Sequence, residues 1–170
     1  MNNKDEEYLS FQQYTNLVQA LLMNYQFIEE GLKMYIKLIY DIIRFSVNDN
    51  IAFKFTYSDI EKHALGKLIA KYEKLTNRED LVKELKDLVR QRNIIAHQAY
   101  LLSTEQMTDI TYLDDQSDKL RMLSERTQKA NAEINKELTQ ATDIFERITI
   151  NLKGQPGQSG SEKSSEIEQP

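Results

Sequence analysis

The sequence predicts an all-α bundle, and two observations carry that reading. Apolar residues recur every three or four positions along most of the 170-residue chain, the spacing that builds one buried stripe on a helix. Helix breakers are scarce: of five glycines and two prolines, only Gly31 and Gly66 precede residue 154.

The first long pattern runs over about 8–45. Tyr14, Leu17, Leu21, Tyr25, Ile28, Leu32, Tyr35, Ile39 and Ile42 mark its core face. Gly31 costs about 1 kcal/mol there relative to alanine, which is consistent with a close helix approach. Val47-Asn48-Asp49-Asn50 then breaks the helix. Ile51, Phe53, Phe55 and Tyr57 alternate with other residues, but a lone strand would have no partner, so an extended loop capping the bundle is expected. A second helix is expected over about 59–75, capped by Ser58 or Thr56 and carrying Ile60, Leu65, Leu68, Ile69 and Tyr72. Asn77 and Asp80 resemble a capping arrangement for a third helix over about 78–102. Residues 109–117 read as a polar connection. A final helix over about 118–152 repeats its apolar residues about every 3.5 positions, as coiled coils do, so it either completes the bundle or pairs with another chain. The expected division is a helical domain over 1–152 and a disordered tail over 153–170, which has almost no apolar content.

Composition narrows the function classes. With no cysteine, disulfide frameworks, thiolate metal sites and cysteine nucleophiles are excluded, and a reducing cytoplasm is a compatible location. Two histidines make a multi-histidine metal centre improbable within one chain. The opening MNNKDEEYLS is polar and acidic, unlike a secretory leader. The most apolar segment, 32–45, is interrupted by Lys33, Lys37, Asp41 and Arg44 and is too short to span a bilayer. Net charge is −5, whereas general nucleic-acid binders are more often basic. Between residues 57 and 97, however, nine basic side chains face seven acidic ones, a local positive excess.

The densest chemistry lies in Arg92-Asn93-Ile94-Ile95-Ala96-His97. Leu81, Leu85, Leu88, Ile95 and Ala99 form a stripe whose missing beat is position 92. A guanidinium there is unfavourable unless it is paired or lines a cleft. On a wheel of about 100° per residue, Arg90, Asn93, His97 and Tyr100 gather along one edge, with Arg92 set deeper. Imidazole is the side chain that titrates near neutral pH. Together with a fixed cation it supports phosphodiester chemistry without a metal.

The segment Arg92-Asn93-x-x-x-His97 resembles the signature of the HEPN superfamily, small all-α domains of prokaryotic defence and toxin systems and of RNA-processing enzymes. Tyr25-Gln26-Phe27-Ile28-Glu29-Glu30-Gly31-Leu32-Lys33-x-Tyr35-Ile36 resembles the first long helix of such domains, and Leu65-Gly66-Lys67-Leu68-Ile69 resembles the segment ahead of the motif helix. The toxin branch that pairs with nucleotidyltransferases often has a tyrosine two residues after the histidine; here Ala99 stands there and Tyr100 follows. The resemblance implies a bundle with two long antiparallel helices. It implies a metal-independent endoribonuclease of a defence or toxin–antitoxin type, acting as a homodimer on RNA without a cofactor. Arg92, Asn93 and His97 would be catalytic, and Arg90 and Tyr100 would bind substrate. An antitoxin or regulatory protein would be its partner. Structural roles compete at several positions. Arg92 can hold a buried ion pair with Glu29 or Glu30, Arg90 can be a surface arginine, Tyr100 can be core or rim, and His63 reads as surface or packing. A non-catalytic helical dimerisation or interaction module, or nucleotide binding without cleavage, would use the same residues differently.

Overall fold

The computed structural model describes residues 3–47 and 52–153, and among these every regular element is a helix. They are α1 (Asn3–Ser46), α2 (Ser58–Glu61), α3 (Leu65–Tyr72), α4 (Glu79–Gln98), α5 (Thr104–Thr108) and α6 (Ile110–Lys153). The expected tail lies outside the described residues, except that Lys153 ends α6. No helix among the described residues is long and apolar enough to cross a membrane.

Helix α1 has 44 residues, about 66 Å at 1.5 Å per residue. Its core face is the one its spacing predicts: Tyr14, Leu21, Tyr25, Ile28, Leu32 and Tyr35 are buried, joined by Val18 and Ile36. Asp5 and Glu6 in the first turn and Arg44 in the last complement the helix dipole. Lys33 is buried too, satisfied by Glu29 at 3.1 Å and Glu30 at 2.8 Å on the same helix.

Helix α6 also has 44 residues and completes the bundle against α1, burying Leu113, Leu120, Leu123, Ala130, Ile134 and Ala141. Contacts between the two advance in the same direction along both. Asn24 Nδ2 donates to Ser124 Oγ (3.1 Å) and Thr127 Oγ1 (3.3 Å). Next comes Gly31 against Ile134, and finally Phe45 meets Phe145 edge-on at 5.7 Å. The two long helices are therefore parallel, and the antiparallel pair expected from the resemblance is corrected. Parallel neighbours need a return path, and α4 supplies it by running antiparallel to both. One end of α4 is tied to α6 by Arg78 donating to Glu133 at 2.9 Å. Its other end is tied to α1 by Tyr14 Oη donating to the Ala99 carbonyl at 2.8 Å. Gly31 is needed where α1 and α6 touch, because a Cβ there would lie 3.1 Å from Ile134 Cγ2.

The expected second helix is two pieces, α2 and α3. Ile60 and Leu65 are both buried. Five residues apart, they would point about 140° apart on one continuous helix. The chain therefore breaks, with Ala64 extended at φ −64°, ψ 152°. Phe53 and Phe55 pack on Tyr40 at 5.7 and 4.1 Å, so this stretch is the expected apolar loop. Ile51 and Asn48–Asn50 of the predicted turn lie outside the described residues. No Asn77 cap forms on α4. Instead Thr76 Oγ1 accepts from Arg78 N at 3.1 Å, and Arg78 grips Asp80 through two bonds of 2.9–3.0 Å. The expected third helix stops at Gln98. Beyond it, α5 opens on a capping box in which Ser103 and Gln106 satisfy each other's backbone. The expected polar connection is the start of α6: Asp109 Oδ1 accepts from Tyr112 N at 3.0 Å, Leu113 is fully buried, and Ser117 is small enough to be buried as well.

Candidate functional site

Three sides of α4 are spoken for. Leu81, Leu85, Leu88 and Ala99 face the core, with Ile95 half-buried beside them. Glu84 and Asp87 face α6, where Arg126 binds both: Nε to Glu84 Oε1 at 2.8 Å, and Nη2 to Glu84 Oε2 at 3.1 Å and to Asp87 Oδ2 at 2.8 Å. These charge-assisted bonds hold the Asp87 carboxyl below the usual carboxylate range. Val82, Arg92 and Ala96 lie toward α3 and α1. The fourth side carries Lys83, Lys86, Arg90, Asn93 and His97, with Tyr100 just past the helix end; all six are exposed. Their steps of three and four residues keep them on one face. Among the described residues only the end of α3 and the following loop flank it, where Glu73 touches Lys86 at 2.7 Å.

The edge drawn from the sequence is thus present: Arg90, Asn93, His97 and Tyr100 share one outward face. His97 lies in the last turn of α4 and makes no hydrogen bond or ion pair among the described residues. Among the described carboxylates Arg90 approaches only Asp87, at 3.9 Å. Tyr100 is about half exposed, a rim residue rather than core.

Arg92 departs from expectation. It is exposed, and its buried ion pair does not form: Glu29 and Glu30 are taken by Lys33, and no carboxylate among the described residues pairs with Arg92. The reason lies in the packing around position 92. Leu22, Tyr25, Gln26, Glu29 and Leu65 leave a cleft of about 200 Å³ where the stripe would otherwise be filled. A long, weakly hydrated guanidinium reaches solvent along that cleft at less cost than burial. Its Nη1 makes a long contact, 3.5 Å, to Asn93 Oδ1. The cation therefore leans from the cleft toward the outward edge. On the other flank, a cleft of about 510 Å³ between α4 and α6 is lined by Ile94, Ile95, Tyr112, Leu120, Met122 and Arg126, among others.

Two groups here were not singled out from sequence. Lys83 and Lys86 extend the outward stripe by two helical turns, and the 83-86-90-93-97-100 spacing would have disclosed them. The hydroxyl of Tyr25, beside the Arg92 cleft, is buried without a hydrogen-bond partner among the described residues. Burial raises its pKa; Arg126 and Arg92 oppose that rise, while Asp87 and Glu84 add to it. No spacing signals an orphaned hydroxyl, because it arises from what is missing around it. The other histidine, His63, is half-buried between α2 and α3 with Nδ1 unbonded, as a packing residue would be.

The outward face carries the Arg90 guanidinium, the Asn93 amide and the His97 imidazole, with the Arg92 guanidinium reaching its edge through Asn93, a set of groups that can bind an oxyanion and transfer a proton. No group of three or more His, Cys, Asp or Glu among the described residues is arranged to hold a metal ion. Comparison with protein-family models, curated proteins and solved structures returned no match.

Proposed function

We propose that the chain is a HEPN-like, metal-independent endoribonuclease of a defence or toxin–antitoxin type, acting on RNA as a homodimer. One observation carries the reading: Asn93 and His97 stand on the outward face of α4, and Arg92 leans onto Asn93. RNA brings its own nucleophile. The 2′-oxygen attacks phosphorus while one His97 imidazole takes its proton. The P–O5′ bond breaks, and the protonated His97 of a second copy gives a proton to the departing 5′-oxygen. The products are a 2′,3′-cyclic phosphate and a 5′-hydroxyl. Arg92 neutralises charge building on the phosphoryl oxygens, and Asn93 orients phosphate or imidazole. Arg90 holds a neighbouring phosphate, and Tyr100 offers a ring for stacking. His97 is the one imidazole on this face, so separate base and acid roles need two copies, which is why the reading requires a dimer.

The test is cleavage of RNA in EDTA with analysis of the ends. Cyclic phosphate ends, lost in His97→Ala without loss of helicity, are expected. Unchanged cleavage by that variant removes His97 from the mechanism. A second reading is a non-catalytic dimerisation or interaction module. It is favoured by the exposure of Ile94, Leu101 and Met122 around the same end of the bundle. Dimerisation without any RNA binding would establish it.

A further inference from the structure

The positive side chains of α4 are sorted by face, and that sorting reaches beyond the motif. Four carboxylates lie on this helix: Glu79, Asp80, Glu84 and Asp87. Glu84 and Asp87 are turned to α6 and held by Arg126, and Asp80 is held by Arg78. What remains on the outward stripe is Lys83, Lys86 and Arg90, followed by Asn93, His97 and Tyr100, with Glu79 at its far end. Lys86 touches Glu73 at 2.7 Å, both half-exposed, a pair worth little and readily exchanged for another anion. Lys83 has no acidic partner among the described residues. Arg90 is three-quarters exposed and only loosely near Asp87. A cleft of about 570 Å³ opens beside these cations, lined also by Thr76, Asn77 and the carboxylates of Glu73 and Glu79. A chain that is acidic overall thus concentrates three cations in line with its one exposed imidazole.

We infer that Lys83, Lys86 and Arg90 form a phosphate-binding track that carries single-stranded RNA along the outer face of α4 to His97. The inference rests on the ribonuclease reading for the position of the scissile linkage. From Lys83 to His97 is about 21 Å along the helix, a span that covers several successive phosphates of an extended strand. Tyr100 closes the track with an exposed ring on which a base can stack. A single strand fits this face better than a duplex. The deep, narrow major groove of A-form RNA does not admit a helix with its side chains, whereas an extended strand can follow a straight row of cations.

The experiment uses the full chain and fluorescein-labelled, 2′-O-methylated RNA, which binds but lacks the nucleophile. Strands of about 4 and about 12 nucleotides are compared by anisotropy across a salt series. The longer strand is expected to bind about ten-fold more tightly, and Lys83→Ala/Lys86→Ala should close most of that gap and reduce the logarithmic salt slope by about 1.4. Both positions are exposed on a helix, and circular dichroism verifies that the variant is folded. Equal affinity for the two lengths, an unchanged slope, or tighter binding of a duplex overturns the track. In parallel, unmodified RNA is tested for His97-dependent cleavage. Cleavage without length dependence leaves the ribonuclease reading standing and removes the track. Lysine-dependent, length-dependent binding without cleavage retains the track and removes the enzyme.

Discussion

Replacing Tyr25 by phenylalanine should make this protein more stable. The residue is 2% exposed, and its hydroxyl is sealed from water with no hydrogen-bond partner among the described residues. Desolvating a hydroxyl without a compensating bond costs about 1–3 kcal/mol in proteins. Phenylalanine keeps the ring and removes that cost. The vacated volume, roughly 10 Å³, returns only about 0.2 kcal/mol as cavity penalty. A net gain of about 1 kcal/mol or more follows, which for a chain of this size raises Tm by about 2–4 °C. Tyr72 is the internal control. It is equally buried, but its hydroxyl donates to Glu137 at 2.8 Å. Tyr72→Phe should cost about 1.5–3 kcal/mol, because a bond to a charged acceptor is lost and Thr76, at 3.2 Å, replaces it only in part. Urea unfolding followed by circular dichroism measures both. If Tyr25→Phe loses more than about 1 kcal/mol, or if the two variants fall alike, the hydroxyl has a partner and the argument fails.

The buried tyrosines also set an alkaline limit: burial raises the pKa of Tyr14, Tyr25, Tyr35 and Tyr72 above that of an unfolded chain. Their contribution is complete below about pH 10 and is lost as pH rises toward the folded values, at about 1.4 kcal/mol per pH unit for each; tyrosinate absorbance should appear together with unfolding. In acid the sign reverses, because hydrogen bonds from Arg78 lower Asp80 to about 2, and those from Arg126 lower Asp87. That stabilisation is full above about pH 4 and fades as pH falls toward 2, and Arg78→Ala should flatten the lower part of the acid-unfolding curve. Gly31→Val should destabilise by about 1–3 kcal/mol, since even a Cβ there meets Ile134 at 3.1 Å, and Ile134→Ala in the same chain should recover part of the loss; additive losses would mean the two positions are not in contact.

Much of the fold was legible because helix period is local. The Tyr14-to-Tyr35 stripe and the Leu120-to-Ala141 stripe fill the core that their spacing marks out. What escaped depends on neighbours. Nothing in residues 62–64 signals a break; it follows from Ile60 and Leu65 both being buried against the rest of the bundle. Helix direction is equally silent, because a stripe reads the same whether its partner runs with it or against it. The outward edge of Arg90, Asn93, His97 and Tyr100 followed from spacing alone. The place of Arg92 did not, because a core beat marks where Cα faces and not whether a neighbour fills the space in front of it.

Running side by side in one direction, α1 and α6 give the molecule distinct ends. His97 sits near the end where both rods begin, as the Tyr14–Ala99 bond requires, whereas Phe45 and Phe145 meet toward the other. Between Tyr112 and Phe145 the axis extends about 50 Å. A dye, a bead or an immobilising tether fixed beyond Phe145 therefore leaves the edge that bears His97 clear. The two ends can be addressed separately in the same molecule.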